Sequence, residues 1–367
     1  MSAAREKLRV ATRGSRLAMA QTQAVLERIR RLVTGLEVEV VPIRTRGDQV
    51  SARWAEAQRP ATEDATADMA VGAFVKELEH TLLDRRCDLA VHSLKDVPTK
   101  LPDGLTLAAF PEREDPRDVL VMPSGSGAGS KPADQADPGD PVRNAGPQPA
   151  GKLLAALLPG ARIGTASLRR SVQLRLIRSD IRTLAVRGNV ETRLRRLDEG
   201  LYDALALAAA GLARLGLSGR LSGWFEPDQL VPAPGQGILA IECRADDTRV
   251  LEWLAPIDRA EVRAEAAAER SFMARTEAGC RWPVGARARL EGSTLELIGF
   301  VALPEGAGGA NAARWLAARG RCRLELSGRT PGEWVDEARR AGEALAEQLL
   351  DRIRAGEGAA VEADGGV

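Results

Sequence analysis

The apolar run Asp88-Leu89-Ala90-Val91 leads directly into the polar stretch His92-Ser93-Leu94-Lys95-Asp96-Val97-Pro98. A short apolar run after a helical pattern is typical of a buried parallel strand, and Pro98 prevents that strand from continuing. In open α/β sheets, ligands bind beyond the carboxyl ends of the strands. The stretch therefore predicts a ligand site with the groups of Ser93, Lys95 and Asp96, although a polar strand end that caps the next turn explains it as well.

Two earlier strands end in the same way. The strand that starts at Leu8 is followed by Thr12-Arg13-Gly14-Ser15, and an alternating strand from Glu37 to Ile43 is followed by Thr45-Arg46-Gly47-Asp48. Because these polar ends meet at one edge of a sheet, we expect residues 12–15, 45–48 and 92–96 to line one site. Residues 49–71 have no clear period and predict a mobile loop, of a length that is often a functional lid.

A second α/β unit begins after Pro111 with a strand from Asp118 to Met122. Residues 123–151, rich in Gly, Pro, Ser and Asp, predict a disordered insertion. The strands that follow end beside arginines, where helix N-termini also favour anions. These arginines are Arg169, Arg170, Arg187, Arg193 and Arg214, and Ser167 is predicted to cap the helix of the first two.

Such an arginine cluster predicts an anionic ligand of high charge. A net charge of +1 and an aromatic content of 3% argue against nucleic acid. No glycine-rich loop of the P-loop or dinucleotide-binding type is present, which argues against a phosphate ligand. A polycarboxylate fits better, because each carboxylate can accept two hydrogen bonds from one arginine.

Length and composition restrict the class of protein further. A chain of 367 residues predicts two or three domains. Its four cysteines form no CxxC pair, and with two histidines in the chain no metal site is expected. Nothing resembles a signal peptide or a membrane span, so a cytoplasmic protein with reduced thiols is the default.

The last third of the chain predicts a small α+β domain. A long helix ends near Arg275, and three alternating strands near 284–290, 294–303 and 321–326 precede a helix over 332–354. The tail after Arg354 is predicted to be disordered. Cys280 lies in a glycine-containing loop near cations, where a thiol can be a nucleophile or an attachment point, although most cysteines are inert.

These stretches together resemble the hydroxymethylbilane synthase family, also called the porphobilinogen deaminases, over the whole chain except residues 123–151 and the tail. The matching motifs, in order, are Ala11-Thr12-Arg13-Gly14-Ser15 with Leu17-Ala18 and Gln21, Thr45-Arg46-Gly47-Asp48, Phe74-Val75-Lys76-Glu77-Leu78-Glu79, His92-Ser93-Leu94-Lys95-Asp96-Val97-Pro98, Arg113-Glu114-Asp115-Pro116-Arg117-Asp118, Gly164-Thr165-Ala166-Ser167-Leu168-Arg169-Arg170, Arg187-Gly188-Asn189-Val190 with Thr192-Arg193-Leu194, Pro234-Gly235-Gln236-Gly237, and Gly279-Cys280 with Pro283-Val284-Gly285.

The resemblance implies an α/β fold with two periplasmic-binding-protein-like (type II) domains and a small C-terminal α+β domain with a three-stranded antiparallel sheet. Domain 1 would comprise residues 1–111 and 238–256, domain 2 residues 112–237, domain 3 residues 257–354, and residues 355–367 a disordered tail. The implied enzyme is a transferase that condenses four porphobilinogen molecules head to tail, with release of ammonia, into hydroxymethylbilane for tetrapyrrole and haem biosynthesis. It would act as a cytoplasmic monomer without nucleic acid or membrane.

The resemblance also implies a role for each candidate residue. Asp96 matches the catalytic aspartate, which would stabilise the cationic azafulvene left by ammonia and assist proton transfer. The implied cofactor is dipyrromethane, joined by a thioether to Cys280. The cofactor-binding set would be Cys280, Lys95, Ser93, Ser15, Asp48, Thr165, Ser167, Arg169, Arg170, Arg187 and Gly188. The substrate-binding set would be Arg13, Gln21, Arg193 and Arg214.

One segment departs from the family pattern. Many members carry lysines in a Gly-Gly-Lys-Gly setting before the Phe74 motif, whereas this chain has Asp68-Met69-Ala70-Val71-Gly72. These positions cannot supply cationic contacts to carboxylates. Arg53 and Arg59 are candidate substitutes within the predicted active-site loop, residues 50–71.

Two other interpretations stay open on the residues alone. A non-enzymatic binding protein with two α/β lobes would leave the Cys280 thiol free and would not need Asp96. An Arg-rich RNA-binding protein would bind with a steep dependence on salt.

Overall fold

The computed structural model describes residues 7–45, 47–48, 75–124, 148–276, 282–305 and 314–362. The predicted lid, including Arg53 and Arg59, and most of the predicted insertion lie outside these ranges, as does Cys280. The first elements of the chain are β1 (Lys7–Arg13), α1 (Arg16–Leu32), β2 (Glu37–Ile43), α2 (Lys76–Leu83), β3 (Leu89–Ser93) and β4 (Leu105–Ala109).

The next elements build a second sheet. They are β5 (Asp118–Val121), β6 (Gln148–Pro149), α3 (Ala150–Ala156), β7 (Arg162–Gly164), α4 (Leu168–Ile177), β8 (Arg182–Leu184), α5 (Val190–Asp198), β9 (Ala204–Ala208), α6 (Ala209–Arg214) and β10 (Gly223–Trp224). The strand order is β6-β10-β5-β9-β7-β8, with β7 parallel to β8 and β9. Apolar clusters lie on both faces of this sheet, which we call the second lobe.

The chain then returns to the first sheet through β11 (Leu239–Arg244), followed by α7 (Thr248–Leu254). The first sheet has the order β2-β1-β3-β11-β4, with β1 parallel to β2 and β3 and with β11 antiparallel to β3 and β4. Val25 and Leu26 of α1 cover one face, and Leu78 of α2 covers the other. Apolar strands are therefore buried on both faces, as an α/β sheet requires. We call this sheet with its helices the first lobe.

Two crossings, residues 112–117 and 232–238, connect the lobes and pair with each other. The N–H of Glu114 donates to the carbonyl of Gly237 at 3.0 Å, and Arg113 forms an isolated bridge with Ile238. A Cβ at Gly237 would lie 2.2 Å from the carbonyl oxygen of Glu114, so the two crossings approach this closely only because residue 237 is glycine. Two α/β lobes with paired crossings confirm the predicted periplasmic-binding-protein-like architecture.

The C-terminal unit consists of α8 (Ala260–Arg275), β12 (Val284–Glu291), β13 (Thr294–Pro304), β14 (Arg314–Glu325), α9 (Pro331–Arg354) and β15 (Ala359–Glu362). Its antiparallel strands lie in the order β12-β13-β14-β15, and both helices pack in one apolar cluster with this sheet. Thr330 and Glu333 form a capping box at the start of α9, which satisfies free N–H groups there.

The structure corrects two predictions about elements and adds one strand. The C-terminal sheet has four strands instead of three, because residues 359–362 of the predicted disordered tail pair with β14 and bury Val361 against Trp315 and Phe300. Residues 148–151 of the predicted disordered insertion are ordered, because Gln148–Pro149 pairs with β10 and Ala150 begins α3. Strand β4 was not predicted. These short strands are stabilised by pairing with distant strands, which the local sequence does not indicate.

Candidate active site

The polar stretch from His92 to Pro98 lies at the end of β3, where the chain forms a 3₁₀ turn over Leu94–Asp96. Leu94 and Val97 are buried, and the N–H of Leu94 donates to the carbonyl of Ile238 at 3.0 Å. Lys95 and Asp96 are half-buried. Among the described residues, the Asp96 carboxylate has no hydrogen-bond or ion-pair partner and is therefore available to a ligand.

The start of α1 lies beside this turn. The amide of Gln21, a buried side chain, donates to the Ser93 hydroxyl at 2.8 Å. Ser15 caps α1, since its hydroxyl accepts a hydrogen bond from the Ala18 N–H at 3.3 Å. The ends of β1 and β3 therefore meet at one edge, as predicted, and Ser15, Gln21 and Ser93 lie there.

Arg13 and Asp48 pair with each other. Nε of Arg13 donates to Oδ1 and Oδ2 of Asp48 at 3.1 and 3.3 Å, and the Thr45 hydroxyl donates to Oδ2 at 2.6 Å. Burial raises the pKa of Asp48, but the hydrogen bonds from Arg13 and Thr45 outweigh that effect and lower the pKa below its usual value. The pair joins the second predicted polar strand end to the first.

The adjacent arginines at the start of α4 share one buried carboxylate. Asp118 accepts hydrogen bonds from Nη1 of Arg169 at 2.6 Å and from Nε of Arg170 at 2.8 Å, and all three side chains are buried. Burial alone would raise the pKa of Asp118, but the two arginine charges lower it to about 2. The Gln236 amide also donates to Asp118 at 3.0 Å, so the second crossing is part of this cluster.

Two further cations interact electrostatically with Asp96 and have no carboxylate partner among the described residues. Within the described ranges, Lys95 makes no hydrogen bond or ion pair, and Arg193 donates to the Gly188 carbonyl at 2.9 Å but to no carboxylate. Burial lowers the pKa of Lys95 to about 8, against the opposing charge of Asp96. Burial and the charges of Arg170 and Arg187 lower the pKa of Arg193 to about 10, again against Asp96. An anion between the lobes would relieve this excess of positive charge.

Helix N-termini of the second lobe adjoin these cations. Ser167 caps α4, and Thr165 accepts from the Ser167 N–H at 3.2 Å. The backbone of Gly188 has a φ of +100°, which leads into the cap of α5. Between the two lobes, in the space that we call the cleft, Nη1 of Arg16 at the start of α1 lies 3.5 Å from Oε1 of Glu191 at the start of α5. The two lobes thus face each other with their helix N-termini.

Arg214 differs from the other predicted arginines in its surroundings. Its guanidinium donates to the Gly237 carbonyl at 2.7 Å, at the crossings. Burial lowers its pKa, and the charges of Glu112 and Glu114 oppose this effect. The structure therefore places Arg214 against the crossings, and among the described residues it has no contact with Asp96 or Lys95.

The donor set fits a polycarboxylate. Lys95 and Arg193 have no carboxylate partner among the described residues, and the buried Nε of Arg169 has no hydrogen-bond partner there. Unpaired buried donors are costly, so this cleft favours an anion that brings several acceptors. In the part of the chain that the structure describes, no group of three or more His, Cys, Asp or Glu side chains could hold a metal ion.

Comparison with known proteins agrees with this chemistry. A family model described as "Porphobilinogen deaminase, dipyromethane cofactor binding domain" matches residues 8–252, and one described as "Porphobilinogen deaminase, C-terminal domain" matches residues 263–314. The chain belongs to the porphobilinogen deaminase family. It is 46% identical to the porphobilinogen deaminase of Roseiflexus sp. (strain RS-1) over 82% of this chain and 88% of that protein. It is 43% identical to that of Roseiflexus castenholzii over 95% and 97% of the two chains.

A solved structure, the BenM effector binding domain with its effector benzoate, aligns with 70% of this chain and 93% of that chain at 13% identity and a TM-score of 0.38. This likeness is too weak to inform the site. Membership in the porphobilinogen deaminase family makes the chain a transferase that condenses four porphobilinogen molecules, with loss of ammonia, to hydroxymethylbilane. The family's cofactor is dipyrromethane, and its pathway is tetrapyrrole biosynthesis.

Asp118 and Gln236 were not among the predicted site residues, although they contact the predicted arginines. Both hold Arg170 in place, and Asp118 also holds Arg169. A signal was present, because a carboxylate that opens an otherwise apolar strand must be buried and needs a cation.

Among the described residues, no helix is long and apolar enough to span a membrane.

Proposed function

We propose that the cleft between the lobes holds the cofactor and the growing pyrrole chain, with Asp96 as the catalytic group and Cys280 as the attachment point. The observation that carries this proposal is the Asp96 carboxylate, which has no hydrogen-bond or ion-pair partner among the described residues. It interacts electrostatically with Lys95 and Arg193, two cations without a carboxylate partner in the same ranges. The bound dipyrromethane would supply the pyrrole to which the first substrate unit is joined.

Asp96 would act on the aminomethyl group of porphobilinogen. When the carbon–nitrogen bond of the protonated aminomethyl group breaks, its electron pair leaves with ammonia and the positive charge passes to the substrate pyrrole. A carboxylate beside that position stabilises the charge and can accept a proton. Because Asp96 is half-buried, its charge acts through a medium less polar than water.

The cations would bind the acetate and propionate groups of the pyrroles. Lys95 and Arg193 offer their ammonium and guanidinium groups, while Arg169 and Arg170 keep their contacts to Asp118 and use their remaining donors. We assign Ser15, Ser93, Asp48, Thr165, Ser167, Arg187 and Gly188 to cofactor binding. We assign Arg13, Gln21 and Arg214 to substrate binding, with Arg193.

The wider assignments are proposals of the same kind. We propose the domain division 1–111 with 238–256, 112–237 and 257–354, supported by the return of β11 to the first sheet. Strand β15, which pairs with β14, extends the third domain beyond this predicted end to residue 362. We further propose a cytoplasmic monomer that binds no nucleic acid, on the balanced charge and the scarcity of aromatic side chains.

The attachment is tested by the intact mass of the denatured protein. We expect wild type and the control Cys322→Ser to exceed their sequence masses by two condensed porphobilinogen units, and Cys280→Ser to show its sequence mass alone. If wild type arrives unmodified, it is incubated with porphobilinogen and measured again. A Cys280 thiol that stays free after this step would contradict the proposal and favour a non-enzymatic binding protein.

The role of Asp96 is tested by the rate of ammonia release from porphobilinogen. We expect Asp96→Asn to lower this rate by about 10²- to 10⁴-fold, the usual contribution of a general acid or base. Asp103→Asn is the matched control, because Asp103 is exposed on a loop of the same lobe. Equal rates for the two variants would exclude Asp96 as the catalytic group.

A further inference from the structure

Helix α8 of the C-terminal unit contacts the turn that carries Lys95 and Asp96. The Arg270 guanidinium donates to three successive carbonyls that follow Asp96. These are the carbonyls of Val97 at 3.3 Å, Pro98 at 2.8 Å and Thr99 at 3.0 Å. One rigid group therefore sets the direction of the backbone immediately after the catalytic turn.

Apolar packing from the same helix reinforces this contact. Ala266, one helical turn before Arg270, lies in a buried cluster with Leu94 and Val97, the two residues that flank Lys95 and Asp96. Residues four apart lie on the same face of a helix. A single face of α8 thus packs beneath the turn and holds its carbonyls.

The neighbouring face of α8 holds the crossings between the lobes. Glu269 accepts hydrogen bonds from Arg113 and from the N–H of Gly235, each at 2.6 Å. Arg113 also donates to Glu265 at 3.1 Å. Helix α8 therefore contacts both the turn and the crossings. It also ends at Arg275, only five residues before Cys280, the proposed attachment point.

We propose that Arg270 is a positioning residue that keeps the Asp96 carboxylate in register with the pyrrole chain carried at Cys280. This inference rests on the proposed roles of those two residues. Arg270 acts through the backbone and touches neither reactant. A lysine cannot replace it, because an ammonium is a compact point charge, whereas the planar guanidinium spans carbonyls that lie apart.

Arg263 supplies a matched control on the same helix. Its guanidinium donates to the Ala108 carbonyl at 2.6 Å and the Leu107 carbonyl at 3.4 Å, both in β4, and to Asp258 at 2.7 Å. It therefore also ties α8 to backbone carbonyls of the first lobe, but not to those that follow Asp96. Arg263→Lys and Arg270→Lys should weaken the attachment of α8 to a similar extent.

The experiment compares steady-state kinetics, melting temperature and intact mass of the two variants. We expect both to fold and to carry the two-unit cofactor mass. We expect Arg270→Lys to lower kcat about 10- to 100-fold with KM changed less than about threefold, since a displacement of about 1 Å in a reacting group can cost about 10²-fold. Arg263→Lys should keep kcat within about twofold of wild type. Arg270→Gln is the second variant if Arg270→Lys does not fold.

A double variant separates this inference from the proposed function. If Arg270 acts through Asp96, Arg270→Lys should reduce the residual rate of Asp96→Asn much less than it reduces the wild-type rate. The positioning role would be overturned if Arg270→Lys reduced the rate by the same factor with and without Asp96→Asn. It would also be overturned if the single variant Arg270→Lys lost no more kcat than Arg263→Lys. Full activity of Asp96→Asn would instead refute the proposed function, whereas an inactive Asp96→Asn beside a fully active Arg270→Lys would refute the inference alone.

Discussion

Asp118→Asn removes the negative charge that Arg169 and Arg170 share inside the second lobe. All three side chains are buried, so the variant leaves two guanidinium groups without a counter-charge. Removing one partner of a buried ion pair costs about 3–5 kcal/mol of unfolding free energy. The pKa gives a comparable figure: the difference between 3.8 and about 2, at about 1.36 kcal/mol for each pKa unit, is about 2.5 kcal/mol. We expect a loss of about 3 kcal/mol.

The pH dependence of this loss has a definite sign. The pKa of Asp118 is lower in the folded state, so the ionised carboxylate stabilises the fold above about pH 4, and this contribution disappears as the pH falls toward 2. The difference in stability between wild type and Asp118→Asn should be constant from pH 7 to 5 and should shrink below pH 4. Urea unfolding, followed by far-ultraviolet circular dichroism at each pH, measures it.

Asp203→Asn is the control for this experiment. Asp203 pairs with Arg162 at 2.8 Å in the same lobe, but their side chains are 38% and 42% exposed. An exposed pair contributes about 0–1 kcal/mol. Equal losses for Asp118→Asn and Asp203→Asn at pH 7, or a loss for Asp118→Asn that persists unchanged at pH 3, would refute the assignment of Asp118 as the shared counter-charge.

Two further substitutions test the crossings between the lobes and the cap of α9. Gly237→Ala should lower the melting temperature more than the control Gly216→Ala. Both glycines have positive φ values, +87° and +69°, but only a Cβ at residue 237 would lie 2.2 Å from the Glu114 carbonyl oxygen. Equal shifts in melting temperature would mean that the crossing has room for a methyl group. Thr330→Ala removes the cap of α9 and should lower the free energy of unfolding in urea by about 1 kcal/mol. The control Ser327→Ala lies outside the helix and should lower it less. The reverse order would contradict a stabilising role of the capping box.

Local patterns were sufficient to predict the polar strand ends and the general architecture. The apolar run before His92 predicted β3, and the motifs at 12–15 and 92–96 were expected at one edge, where Gln21 and Ser93 now meet. These patterns succeed because burial on both faces of a parallel sheet requires continuous apolar strands, while the strand ends stay polar. The roles of Cys280 and of the predicted lid stay predictions, since both lie outside the described residues.

Other features depend on residues far apart in the chain. The run Ala359-Ala360-Val361-Glu362 is too short to signal a strand, and it forms β15 because β14 offers free backbone groups and a buried place for Val361. Likewise, the sequence identified five arginines that suit an anion but could not tell which of them are already paired. Asp118 binds two, the Gly237 carbonyl binds Arg214, and Arg193 lacks a carboxylate partner among the described residues. The sequence by itself therefore determined the kind of ligand, through the charge and type of its side chains. Only the tertiary structure decided which charges remain available, because the strength of an ionic contact depends on distance and burial, and both arise when distant segments pack together.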